Sequence, residues 1–391
     1  MNKKRQTIVN SLRKKMLLIT IAAGVCFGCH KPKPDEQALK DFKVTNLVAN
    51  TSEYHPVLVD PTLINGFGMA WSAGGIAWVN SVGGHVSELY NAEGGRLRAV
   101  NIPSPNDTIG GFPCGIVFST GKGFNLSPKN PAAFLFTGFD GVLSGWNPAS
   151  NNNAQRLRAP ANASYTGLAI ASNGGQNFIY AANFGQKKID VWDTAFRKIN
   201  MAFKDPTLPD NYSPYNIQEV GGLLFVVYAI LDTRENSPTK GRGIAGAGTG
   251  IVSVFNPDGS FKARFAAHGS LNLPWGVTMA QASFLEDQDM NNGGGHGGYE
   301  SSIEHTASYG NHDPKDPVIL IGNFGDGRIN VYTQDGQYLG QLQSHKNPIT
   351  IDGLWALSFP PASANIDAGR LYFTAGPDNE NDGVFGYLKK Q

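Results

Sequence analysis

Between residues 318 and 340 the chain reads VILIGNFGDGRINVYTQDGQYLG. The apolar run over 318–321 is long enough for a buried strand and too short for a helix. Asn323, Gly325, Asp326 and Gly327 tolerate the positive φ that a hairpin turn needs. Residues 328–332 then alternate polar and apolar, which puts Ile329 and Val331 on one face. Asp335-Gly336 marks a second turn, and 337–342 reads as another strand. One such hairpin cannot bury its apolar face alone, so the chain must supply partners for it.

It supplies them as copies. The same strand–turn–strand pattern recurs at 76–94, 133–150, 178–199, 223–261 (with an insertion) and 370–388, giving six units. Asn183-Phe184-Gly185 of the third unit matches Asn323-Phe324-Gly325 of the fifth. A further short strand precedes each unit, with a small or turn-prone residue in register: Gly68, Gly115, Gly167, Asn216, Gly276 and Ala356. A repeat of roughly 50 residues lies in the range of propeller blades. Innermost strands that converge on one axis need small side chains where they crowd. Six units in register argue against a two-sheet sandwich. The expectation is an all-β, six-bladed β-propeller over 42–391. The strand-like run 42–49, FKVTNLVA, is expected to close the last blade as its outer strand.

The chain is rich in glycine and poor in charge, with 48 Gly and only 16% charged residues, which suits short strands joined by tight turns. The first residues follow other rules. Lys3, Lys4, Arg5, Arg13, Lys14 and Lys15 precede an apolar core at 16–27, too short to span a bilayer comfortably. Gly28-Cys29 and a polar stretch come next. Residues 1–28 therefore read as a lipoprotein-type signal peptide, with lipidation at Cys29 and a flexible tether over 29–41. An ordinary signal peptide or a short anchor is the alternative. Cys26 stands where such signals usually carry Leu. The expected location is the bacterial cell envelope, with membrane contact through the lipid anchor only. Loss of Cys26 with the leader and acylation of Cys29 leave Cys114, which sits in an apolar strand as a buried thiol should. The formal charge of +1 includes the six basic residues of the leader, so the remainder carries −5. With no basic run after the leader, nucleic-acid binding is excluded as a reading.

Several phrases together resemble a family of exported bacterial propeller proteins of unknown biochemical role. They are VDPTLINGFGMAWS at 59–72, AANFGQKKIDVWD at 181–193, KDPTLPDNYSPYNIQEVGGLLFVVYA at 204–229, GAGTGIVSVFNPDG at 246–259, LNLPWGVTMA at 271–280 and IGNFGDGRINVYTQDG at 321–336. IDGLWALSFP and LYFTAGPDNENDGVFG follow near the end. Each blade also resembles an NHL-type repeat. The resemblance implies the fold and export, and brings no activity with it. The chain departs from the pattern at Gly66-Phe67, where Pro-Trp is usual, and in the long insertion at about 282–316.

Propellers bind at the mouth of the central channel, so the candidate ligand-binding residues flank the inner strands. They are Asn65, Asp140, Asn183, Asn216, Asn323 and Asp352, with Trp275 and Trp355 as amphipathic aromatic walls. The Asn and Asp positions serve equally well as turn formers. Two functions from different classes follow. The first is a binding or scaffolding module for a protein, glycan or small molecule. The second is a metal-dependent hydrolase of esters or lactones, with a divalent cation such as calcium at the channel mouth. The second lacks a Glu at a clear inner-loop position; Glu53 lies before the first blade. His296, His305 and His312 could take zinc or copper, although their glycine-rich surroundings read as a surface loop. The GAGTG run lacks the Lys-Ser/Thr and helix of a phosphate-binding loop.

Overall fold

The computed structural model describes residues 38–286 and 316–391. The residues read as a signal peptide, Cys29, most of the expected tether and the three histidines of the insertion lie outside the described residues.

Besides two further two-stranded sheets among the described residues, six sheets of four or five strands follow in sequence order, antiparallel except where Val48 and Ala49 pair parallel with Leu58 and Val59. Their inner strands are Gly66–Trp71, Pro113–Phe118, Tyr165–Asn173, Tyr212–Val220, Pro274–Ala280 and Leu354–Ser358. Each pairs with a second strand: Ala77–Ser81, Phe134–Gly138, Gln176–Asn183, Leu223–Ile230, Val318–Asn323 and Leu371–Ala375. Third strands follow at Val86–Tyr90, Leu143–Trp146, Lys188–Asp193, Ile251–Phe255, Ile329–Tyr332 and Val384–Lys390. Outer strands of blades 1 to 5 come next in the chain. Blade 6 takes its outer strand from Phe42–Ala49, paired antiparallel from Phe42 opposite Lys390 to Ala49 opposite Val384. The expected closure is the observed one. The chain is an all-β, six-bladed propeller.

One irregularity recurs in every blade and decides what fills the axis. The ladder between the inner and second strands slips each time next to the small residue that the sequence places in register. In blade 3 it jumps from Tyr165 to Gly167, and in blade 4 from Pro214 to Asn216. The jumps in blades 1, 5 and 6 run from Gly66 to Met69, Pro274 to Val277 and Leu354 to Leu357. Blade 2 shifts across Cys114. A bulge breaks the period-two alternation and re-aims the extra side chain. The residues released this way are Phe67, Cys114, Thr166, Tyr215, Trp275 and Trp355, one per blade.

The small residue beside each bulge lets neighbouring inner strands touch. A Cβ on Gly68 would lie 2.1 Å from the Cys114 carbonyl oxygen of blade 2, and one on Gly276 would lie 2.7 Å from the Trp355 carbonyl oxygen of blade 6. Both obstacles are backbone and cannot swing aside. Asn216 uses the same gap differently: its Nδ2 donates to the Trp275 carbonyl at 2.9 Å and ties blade 4 to blade 5.

Two Asp-Pro-Thr segments latch connecting chain onto outer strands, three blades apart. Asp205 has a fully buried side chain and accepts hydrogen bonds from Ser253 Oγ at 2.6 Å, the Thr207 amide at 2.9 Å and Arg264 Nε at 2.7 Å. Asp60 accepts from Thr62 Oγ1 at 2.7 Å and Tyr90 Oη at 2.9 Å, and pairs with Arg96 at 2.8 Å. Buried carboxylates survive in a fold only when paired and hydrogen-bonded in this way.

Candidate functional site

The six bulges converge on an aromatic plug. Phe67 stacks on Trp355 with centroids 3.7 Å apart and meets Trp275 edge-on at 5.2 Å. Phe139, from the turn after the second strand of blade 2, meets Phe67 edge-on at 5.3 Å. Phe324, at the matching turn of blade 5, stacks on Trp355 at 4.0 Å. Tyr215 completes the ring, 6.0 Å from Trp355 and 4.9 Å from Phe184 of blade 3. Every blade contributes a ring. Where Cys114 and Thr166 supply little volume, Phe139 and Phe184 fill the space from the turns.

Buried indoles need acceptors for their N–H groups. Trp275 Nε1 donates to the Thr166 carbonyl at 2.9 Å, and Trp355 Nε1 donates to Asn65 Oδ1 at 2.8 Å. Asn65 passes the chain of bonds outward, its Nδ2 donating to Glu380 Oε2 at 2.9 Å. Arg242 reaches over from the blade 4 insertion and donates to the other carboxylate oxygen at 3.0 Å. Polar groups from blades 1, 4 and 6 thus meet on top of an apolar floor.

The backbone holds this arrangement in place. Asp378, Asn379 and Glu380 occupy the left-handed region in succession, with φ of 51°, 55° and 70°, an uncommon conformation for non-glycine residues. It turns the Glu380 side chain inward until only 24% of it is exposed. Burial pushes its carboxyl above the ordinary range, while Arg242 and Asn65 act in the opposite sense. Arg242 stands at the base of a hairpin-like arm. The Asp232 amide donates to the Arg242 carbonyl at 2.9 Å, and the Ile244 amide to the Ile230 carbonyl at 2.9 Å. The Arg242 side chain is 64% exposed.

Tyr215 is 7% exposed, and no described residue bonds its hydroxyl. Burial, followed by the nearby Glu380 carboxylate, pushes that phenol up, so it is a neutral donor and acceptor.

The structure brings Asn65, Trp275 and Trp355 together, but the two tryptophans form the floor of the mouth and not its walls, at 3% and 1% exposure. Asp352 stands exposed nearby and accepts the Asp378 amide at 3.2 Å. Asn216 is spent on the contact between blades. Asn183 and Asn323 are fully buried turn residues; Asn183 donates to Asp190 at 2.8 Å, and Asn323 to the Ser270 carbonyl at 2.8 Å. Asp140 lies on the blade 2 turn beside Phe139, with Oδ1 accepting the Val142 amide at 3.2 Å and Oδ2 unbonded. Cys114 is buried, its thiol donating to the Tyr165 carbonyl at 2.6 Å and pushed up by burial. Sequence reasoning did not nominate Glu380, Arg242 or Tyr215. The available signals were the ring preceding four of the six in-register small or turn-prone residues, at Phe67, Tyr215, Trp275 and Trp355, and the Phe shared by positions 139, 184 and 324.

The opposite end of the inner strands carries an open cavity of about 240 Å³ with a mixed lining, apolar at Met69, Ile116 and Leu168 and polar at Gln218, Glu219 and Ser358. Among the described residues, no set of three His, Cys, Asp or Glu side chains is placed to hold a metal ion. Calcium takes 6–8 oxygen ligands. The plugged mouth offers one half-buried carboxylate and one amide oxygen, already bonded to Arg242 and Trp355, so this donor set does not fit it.

A closed six-bladed propeller with a plugged, polar-rimmed mouth is therefore the class to which the chain's architecture assigns it. No family model matches the chain. It is similar to the uncharacterized protein L690 of Acanthamoeba polyphaga mimivirus, 29% identical over 377 residues that cover 92% of this chain and 88% of the relative. The uncharacterized protein R648 of the same virus is 28% identical over 373 residues, covering 92% of this chain and 83% of the relative. Among solved structures, streptogramin B lyase superposes with a TM-score of 0.50 at 12% identity, covering 90% of this chain and 97% of that one. That likeness is one of fold alone.

Proposed function

We propose that the protein is an exported, lipid-anchored β-propeller that acts as a binding module, with its ligand seated at the mouth formed by Asn65, Tyr215, Arg242 and Glu380. The observation that carries this reading is the Tyr215 hydroxyl, unbonded above a floor assembled from all six blades. A sealed apolar floor under a few convergent polar groups is the form of a recognition site. Export and anchoring rest on the basic leader, its apolar core and Gly28-Cys29.

Two measurements test the proposal. Labelling with a radioactive fatty acid should mark the wild-type chain and leave Cys29→Ala unmarked; equal labelling refutes the anchor. A thermal-shift screen of glycans, peptides and small metabolites should give hits that weaken in Tyr215→Phe and Glu380→Gln. Hits that shift all three proteins equally would place the ligand elsewhere. Metal-dependent turnover of an ester or lactone panel would move the reading to the hydrolase.

A further inference from the structure

Arg242 is a weakly held cation on a strongly held carboxylate. Glu380 is fixed by its left-handed backbone and by Asn65, whereas Arg242 touches the site through a single hydrogen bond and is otherwise in water. Exposed ion pairs of this kind contribute little and exchange readily with solvent. The arm behind Arg242 is bonded at its base, so only the side chain has to move for the carboxylate to be freed. Asp352 and Asp378 add acidic side chains on the same side of the mouth, joined through the Asp378 amide. Tyr215 is buried, and after burial itself Glu380 is the strongest influence on its phenol, with Arg242 acting in the opposite sense. Partly buried Phe324 and Phe139 offer apolar surface at the rim.

From these contacts we infer that the ligand carries a cationic nitrogen group on an apolar or aromatic stem, and that Arg242 is its internal stand-in. The inference rests on the reading of the mouth as a binding site. The ligand's amidinium, guanidinium or ammonium replaces the Arg242 guanidinium on Glu380, its stem lies against Phe324 and Phe139, and the Tyr215 hydroxyl accepts a remaining N–H. No bond is made or broken. Arg242 sets a threshold, because a ligand must compete with a tethered cation that is always present.

The probe is benzamidine, with neutral benzamide and anionic benzoate of similar shape as comparisons. Affinities are measured by ligand-observed NMR on the intact protein and on Arg242→Ala and Glu380→Gln, each checked for a cooperative melting transition no lower than that of the wild type. If Arg242 covers Glu380 about nine-tenths of the time, its removal should tighten benzamidine about tenfold. Glu380→Gln should abolish benzamidine binding, and benzamide should be indifferent to both changes. Unchanged benzamidine affinity in Arg242→Ala, or retained affinity in Glu380→Gln, overturns the inference. Benzoate binding to the wild type that disappears in Arg242→Ala would leave the mouth a binding site and reverse the charge of its ligand. Should none of the three probes bind any variant, the cationic class falls, while the mouth itself stands or falls by the Tyr215→Phe screen.

Discussion

Removal of Asp205 tests how the propeller holds its connecting chain. Burial alone would raise the Asp205 carboxyl, but the Ser253 hydroxyl, the Thr207 amide and Arg264 outweigh it and hold it below the ordinary range. Asp205→Ala leaves Ser253 Oγ without its acceptor and Arg264, 23% exposed, without its counter-ion. Breaking a buried pair by deleting one partner costs about 3–5 kcal/mol. Unfolding entropy of roughly 2.1 cal/mol/K per residue over about 350 residues comes to about 0.7 kcal/mol/K. The expected fall in Tm is therefore roughly 4–7 °C by calorimetry. Arg264→Ala should cost less, because Asp205 keeps Ser253 and Thr207. The double variant should show positive coupling, since the two residues are in contact. The sign with pH is fixed. A carboxyl lowered by folding contributes stability that is present above its ordinary value of 3.8 and is lost as pH falls through the lower folded value. The gap between wild type and Asp205→Ala should narrow in that acid window. A Tm change under 1 °C at neutral pH, or strict additivity in the cycle, would refute the reasoning.

Three further outcomes are expected. Trp355→Ala should lose about 3–5 kcal/mol in urea titrations, because it removes the ring on which Phe67 and Phe324 stack. Gly68→Ala should destabilise by about 1–3 kcal/mol by forcing a Cβ onto the Cys114 carbonyl, while Gly74→Ala, with nothing within 4 Å, should be silent in the same titration. Glu380 has a raised folded carboxyl, so its charged form opposes folding above that value and the opposition fades as pH falls toward the ordinary 4.5. Glu380→Gln should therefore be neutral or stabilising near pH 7, with the advantage disappearing on acidification; a fixed loss at all pH values would contradict this.

The architecture was legible because turns and small residues are set by local sterics. Gly68, Gly115, Gly167 and Gly276 mark four of the six inner strands, Asn216 and Ala356 mark the other two, and Asp335-Gly336 marks a turn whatever the rest of the chain does. The site was less legible because a bulge is a failure of periodicity. Strict alternation treats Trp275 and Trp355 as ordinary strand residues that could wall a pocket, whereas the slipped ladder drives them into the axis. Asn65 was recognised as a mouth residue, but its partner Glu380 lies in a PDNENDG stretch where every residue suits a turn. Nothing local in that stretch says that three successive left-handed residues will turn a carboxylate inward. Arg242 was hidden for a similar reason, since a glycine-rich insertion that also carries Arg234 and Lys240 does not reveal which of its long side chains will reach the mouth.

The seam between Phe42–Ala49 and Val384–Lys390 also orders events in time. The Asn50 side chain accepts from the Gly383 amide across a separation of 333 residues. During synthesis Phe42–Ala49, the first of the described strands, waits for a partner that emerges more than 300 residues later. Until then Phe42–Ala49 has only the two-residue parallel pairing of Val48 and Ala49 with Leu58 and Val59, and the ring has two open edges on which another chain could pair. A nascent chain that stops short of Val384 is therefore not a smaller propeller but an unsealed one. Such a chain should stay pliant and dependent on protection from aggregation until its final strand arrives, when closure removes both edges in one step.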